Sequence, residues 1–241
     1  MNRSNRSTHR SNGSHCLAAV LSALLLTATA GCSKKDTPPP TPAVAPVSLS
    51  ALDVAKLEAN AKAAGYVQSG NDPEQLEAGT LYSLKYQVEG KDVFVSFYDF
   101  SGWEKSASKP SIVVDGDRIL YVSTMADSGA QSSELAGKVR AAGVSKVTKP
   151  ALEGIIKGAG WKLEESAEDE DGSTGVKTIE IEGVRGDDAK GDEADATVNL
   201  YDFAKPVSEG RALVKDNRGI AVGCAEDAAL AQKVLQKLTS G

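Results

Sequence analysis

The residues that could do chemistry are few, and most are carboxylates. The chain of 241 residues carries 33 Asp and Glu against 27 Lys and Arg, for a formal charge of −6. That balance argues against nucleic acid as a partner, because phosphate binding needs a basic face. The tripeptide Tyr-Asp-Phe occurs twice, at 98–100 and 201–203. On a strand, Tyr98 and Phe100 would share one face and Asp99 the other. Asp99 and Asp202 could serve as acid or base in a cleft, or accept hydrogen bonds from the following turn. A second acidic group comprises Glu164, Glu165, Glu168, Asp169, Glu170 and Asp171, and a third comprises Asp187, Asp188, Asp192 and Glu193. Asp169, Asp171 and Ser173 have the alternate spacing of calcium ligands. Gly172 is not at the sixth position, however, and no Glu closes the loop. The expectation is solvated hairpin loops and no bound metal.

Other reactive types are sparser still. Cys224 is expected to follow a strand and open the last helix. A helix N-terminus would favour its thiolate, while Glu226 and Asp227 would oppose it. A small buried apolar role is expected. Trp103 sits in Ser101-Gly102-Trp103-Glu104 and has no counterpart later in the chain. It could be an exposed contact hot spot or fold back on a sheet edge. The two histidines, His9 and His15, lie at the extreme N-terminus. The remainder of the chain therefore cannot build a Ser-His-Asp triad, a Cys-His dyad or a His-ligated zinc site. No glycine-rich phosphate loop and no metal-type cysteine pair is present, so no cofactor is implied.

The N-terminus reads as an address. Arg3, Arg6 and Arg10 precede an apolar run from Leu17 to Ala30. A spanning helix needs about 20 apolar residues, and a basic start before a shorter run is the pattern of a secretory signal peptide. The run ends in Thr29-Ala30-Gly31-Cys32, which resembles the lipobox of bacterial lipoproteins, with Thr29 where that family usually has Leu. The resemblance covers the first 32 residues. It implies a diacylglyceryl group on the Cys32 thiol, cleavage before Cys32, and anchoring of the product to a membrane. Ser33, with no Asp after the cysteine, implies the outer membrane with the protein facing the periplasm. Ala28-Thr29-Ala30 also fits an ordinary signal-peptidase site, and cleavage after Ala30 would release a soluble exported protein. Removal of residues 1–31 takes both histidines and three arginines, leaving a formal charge of −9 against −6 for the whole chain. An acylated Cys32 would need no membrane-spanning helix.

Residues 33–48 hold five prolines and suit an extended tether of about 3.1 Å per residue. Residues 32–50 are thus expected to be the lipidated terminus and spacer. After them the chain repeats itself. Residues 57–66 match 152–161 at five of ten positions, among them Leu57, Glu58 and Gly65 with Leu152, Glu153 and Gly160. Asp92, Val95, Tyr98, Asp99 and Phe100 match Asp195, Val198, Tyr201, Asp202 and Phe203, and Asp115-Gly116-Asp117-Arg118-Ile119 resembles Asp216-Asn217-Arg218-Gly219-Ile220. The ordered set implies two homologous halves, 51–145 and 146–241, the second with an acidic insertion.

Each half must position these residues in the same way. A helix capped by Ser50 (Thr148 in the second half) should end at Gly65 (Gly160). Alternating Tyr82, Leu84, Tyr86 and Val88 form a strand, and Val93–Phe100, apolar on both faces, a central one. Asp115-Gly116-Asp117 between two apolar runs is a hairpin signal. A last helix carries Leu135 and Val139, or Leu230, Val234 and Leu238. The fold class expected is α+β: two tandem homologous domains, each an antiparallel sheet of about four strands with an N-terminal and a C-terminal helix on one face. The functional expectation is a non-catalytic cell-envelope lipoprotein that serves as a protein-binding or scaffold module on the periplasmic side of a membrane. A small-ligand or ion binder is the alternative, and a carboxylate-dependent enzyme stands behind that.

Overall fold

The computed structural model describes residues 49–76, 79–106, 109–125, 129–186, 194–204 and 211–240. The signal segment, the tether, Cys32 and the acidic residues 187, 188, 192 and 193 lie outside the described residues. Helix α1 (Val54–Ala63) is followed by strands β1 (Val67–Leu76), β2 (Gly79–Val88), β3 (Lys91–Asp99), β4 (Ser111–Asp115) and β5 (Arg118–Thr124), then helix α2 (Ala130–Ala142). The same order returns in α3 (Lys149–Gly158), β6 (Lys162–Glu170), β7 (Lys177–Arg185), β8 (Ala194–Asp202), β9 (Arg211–Lys215), β10 (Arg218–Gly223) and α4 (Ala228–Thr239). No helix among the described residues is long and apolar enough to cross a membrane.

Local chemistry explains the boundaries. Asp53 rather than Ser50 caps α1, its carboxylate accepting from Lys56 N at 2.8 Å. Gly65 has φ 77°, and the Tyr66 amide bonds back to Ala61 O at 2.9 Å while the Gly65 amide bonds to Lys62 O at 3.0 Å. This is the double bond pattern that satisfies helix-end carbonyls. Gly160 (φ 88°) and Trp161 close α3 in the same way. The turn Glu89-Gly90 has both residues at positive φ, as does Asp216-Asn217, the geometry that two-residue hairpins need.

The class is α+β with two antiparallel five-stranded sheets. The first has order β1-β2-β3-β10-β9 and the second β4-β5-β8-β7-β6. Two features differ from the expectation. Each sheet has five strands, because β1 and β6 are strands. And the boundary near residue 145 does not separate the sheets: each sheet takes a three-stranded meander from one half and a hairpin from the other. The acidic residues 164–170 therefore belong to strand β6, at the edge of its sheet. An edge strand with one open side tolerates charge, and charge there discourages pairing with other chains. Pro73 lies in β1, also an edge, the place in a sheet where proline is tolerated.

The packing is layered. Helices α1 and α4 cover one face of the first sheet around Leu57, Val95, Phe97, Val234 and Leu238. Helices α2 and α3 cover the second sheet around Leu120, Val122, Leu152, Ile156 and Val198. Between the sheets lies a third apolar cluster built on Tyr98, Phe100, Ile119, Tyr121, Tyr201 and Phe203. Each sheet thus carries on its outer face one helix from each side of residue 145, not the two helices of one half, and the other faces meet.

Candidate functional site

Asp99 and Asp202 end β3 and β8, and each is paired with an arginine from the other half of the chain. Arg218 opposes Asp99 across the β3–β10 ladder, and Arg118 opposes Asp202 across β5–β8. Arg118 Nη2 and Nε donate to Asp202 Oδ2 at 2.6 and 3.0 Å. Arg218 Nε lies 3.1 Å from Asp99 Oδ1. A turn amide adds to each pair: Ala204 N donates to the other oxygen of Asp202, Oδ1, at 2.9 Å, and Ser101 N donates at 2.9 Å to the same Asp99 Oδ1 that faces Arg218. Each arginine then reaches the segment entering a helix. Arg118 Nη1 donates to Val144 O and Val147 O ahead of α3, and Arg218 Nη1 donates to Ser50 O ahead of α1. All four side chains are 80% or more buried. Because Val95 and Phe97 face the helices, Asp99 at the alternate position points outward from the first sheet. Asp202, alternate to Val198 and Leu200, points outward from the second. The two carboxylates thus face away from each other, with both sheets between them.

The flanking aromatics form the contact between the sheets. Tyr98 meets Tyr201 in a tilted pair with centroids 4.9 Å apart, Phe203 meets Tyr98 edge-on at 5.4 Å, and Phe100 meets Tyr201 at 5.5 Å. Such pairs add about 0.5–1.5 kcal/mol each beyond area burial. Burial drives the phenols of Tyr98 and Tyr201 well above the usual tyrosine range, with negative groups including Glu74 adding to it. Trp103, in a short 3-10 turn, is half-buried and packs on this same cluster. It folds back on the sheets.

Asp171 occupies the loop between β6 and β7 and works inside the fold. Its carboxylate accepts from Thr174 Oγ1 at 2.5 Å, Ser96 Oγ at 2.7 Å and Ser173 N at 2.8 Å. Partial burial opposes its charge, but these bonds outweigh burial and hold the carboxyl below the usual range. Ser96 is on β3, so the loop ties the tip of the second sheet to the first. Asp169 is exposed on β6 and does not join it. Among the described residues no group of three or more metal-ligating side chains comes together. Cys224 is a buried free thiol in the α1/α4 core. Asp227, three residues on, caps α4 through Leu230 N at 3.0 Å and pairs with Lys91 at 2.7 Å.

What remains open is concave surface. A cavity of about 320 Å³ beside Arg118 and Asp202 is flanked by the start of α3 with Lys149 and by Glu168 and Lys177; its cations pair with Asp202, Glu153 and Glu170. A groove of about 490 Å³ runs along Ala55 and Ala59 of α1, above Tyr86. A smaller cavity of about 190 Å³ opens at the margin of the inter-sheet layer and is lined by Leu76, Phe100, Tyr121, Tyr201, Asn199 and Glu180. Sequence reasoning did not single out Asn199 or Glu180. Asn199's only sequence signal is its place two residues before Tyr201; Glu180 is brought opposite it by the β7–β8 register, which the sequence does not show. No protein-family model, curated protein or solved structure matches the chain.

Proposed function

We propose that this protein is a lipid-anchored cell-envelope protein, held through Cys32 to the outer membrane and facing the periplasm, whose α+β body is a non-catalytic binding or scaffold module. The observation that carries the reading is the basic leader, the short apolar run and the terminal Thr29-Ala30-Gly31-Cys32. Five prolines between Cys32 and the body suit a spacer that holds the module off the bilayer. Support for a non-catalytic body comes from how its most suggestive residues are engaged: Asp99 and Asp202 are consumed by arginine pairs and turn amides, and they face apart. We further propose that residues 51–145 and 146–241 are homologous copies, supported by the repeated motifs and the repeated element order.

The test is a crosslinked pull-down from detergent-solubilised envelopes, comparing the native chain with Cys32→Ala. The expected result is an envelope protein recovered near stoichiometry with the native chain and lost with the variant. Equal recovery from both chains would remove the anchor from the function, and no specific partner would remove the scaffold reading.

A further inference from the structure

The cavity beside Asn199 stands out against its counterpart on the other sheet. Ser96 sits two residues before Tyr98 on β3, as Asn199 sits two residues before Tyr201 on β8. Both face the inter-sheet layer. At Ser96 the space is filled by the chain itself: Asp171 Oδ2 and Thr174 Oγ1 lie 2.7 and 3.1 Å from its hydroxyl, and a Cβ on neighbouring Gly223 would overlap the carbonyl of Ser173. At Asn199 the adjoining hairpin strand offers Leu76, and a cavity of about 190 Å³ remains. Asn199 Nδ2 is turned to Tyr201 Oη at 3.5 Å, while Oδ1 is buried without a hydrogen-bond partner. An unmet buried acceptor is costly and is relieved by a ligand that donates.

The surroundings select the charge of that donor. Glu180 lines the mouth. Glu74, near enough to raise the phenols of Tyr98 and Tyr201, adds a second carboxylate. The register places Glu165 and Thr197 opposite Glu182, and Ala167 and Asn199 opposite Glu180, so the same face of the second sheet continues acidic beyond the cavity. No lysine or arginine lines the cavity among the described residues. The floor is aromatic, from Phe100, Tyr121 and Tyr201, and ring faces attract cations. A volume of about 190 Å³ corresponds to about six waters at roughly 30 Å³ each, enough for a short aliphatic chain.

We propose that this cavity binds a small primary amine in its ammonium form. The N–H donors meet Asn199 Oδ1, Glu180 balances the charge, and the methylenes lie over the tyrosine and phenylalanine rings. The site is independent of the membrane anchor, so its failure would leave the lipoprotein reading untouched.

The experiment titrates the purified full chain, carrying Cys32→Ala, with 1,4-diaminobutane at low ionic strength, followed by calorimetry and by amide shifts. Two controls accompany it: 1,4-butanediol, which has the same length and no charge, and tetramethylammonium, which has charge and no N–H. Saturable binding at a millimolar dissociation constant or tighter is expected for the diamine, with shifts centred on Asn199 and Tyr201. Glu180→Gln, a change of equal size at an exposed position, should weaken binding about tenfold, as loss of a charge-assisted contact does, with an unchanged melting temperature as the control for folding. Absence of saturation overturns the proposal, as does equal binding of the diol or of tetramethylammonium, or undiminished binding by the variant.

Discussion

At the scale of single residues, the two Asp–Arg pairs hold the ends of the central strands and the entrances to α1 and α3. Removing one member of such a pair strands a buried charge, which costs about 3 kcal/mol or more. Urea unfolding of Asp202→Asn, Arg118→Met and the double variant should therefore show coupling of about 1–3 kcal/mol. Strict additivity would mean that the pair does not act as a unit. The inter-sheet tyrosines give a second handle. Tyr98 and Tyr201 have raised pKa values, largely by burial, so the unfolded chain ionises first. Their contribution is whole below about pH 10, the unfolded tyrosine value, and is lost as pH climbs towards the folded values. Circular dichroism should show unfolding that begins above about pH 10 together with the tyrosinate absorbance. In the double variant Tyr98→Phe/Tyr201→Phe that alkaline limb should shift upward. These residues were legible in the sequence as the repeated Tyr-Asp-Phe and as the turns ending in Arg118 and Arg218. That Asp99 would meet Arg218, and Asp202 Arg118, was not, because a strand's neighbour across a sheet leaves no mark in local periodicity.

At the scale of elements, the hairpins and helices could be read from turn chemistry and apolar spacing. The acidic strand β6 could not. Its charges suggested a loop, and its strand character comes from pairing with β7, where one open edge lets carboxylates reach water. The β6–β7 loop is fixed on β3 and β10 by close contact, and Gly219 on β10 likewise admits the ring of Phe203. Gly223→Ala or Gly219→Ala should each cost about 1–3 kcal/mol, the usual range for overpacking, by thermal or urea unfolding. An unchanged melting temperature would contradict the tight seating. Asp171 adds a pH dependence of the opposite sign to the tyrosines. Its pKa is depressed, so its stabilisation is present above the unfolded aspartate value of about 3.9 and is lost as pH falls through the lower folded one. The stability gap between the native chain and Asp171→Asn should narrow below about pH 4. A gap constant with pH would mean that the carboxylate's charge plays no part.

At the scale of the whole molecule, the described residues form one compact unit in which the halves complete each other's sheets. Residues 49–145 lack β9 and β10 of the first sheet and β6, β7 and β8 of the second, and residues 146–241 lack β1, β2 and β3 of the first and β4 and β5 of the second. Each half expressed alone should therefore show no cooperative melt, while mixing the two should restore one. A cooperative melt from either half alone would contradict the exchange of hairpins. The sequence motifs suggested two repeats with separate sheets, whereas each sheet draws strands from both sides of residue 145, because motif order does not record which sheet a hairpin joins. The functional account rests on the other end of the chain. Its most direct measurement is the mass of the N-terminal peptide of the protein recovered from bacterial membranes. The account expects a peptide that begins at Cys32 and carries a diacylglyceryl group on its thiol. An unmodified peptide that begins at Gly31 would contradict it, and would make this a soluble exported protein.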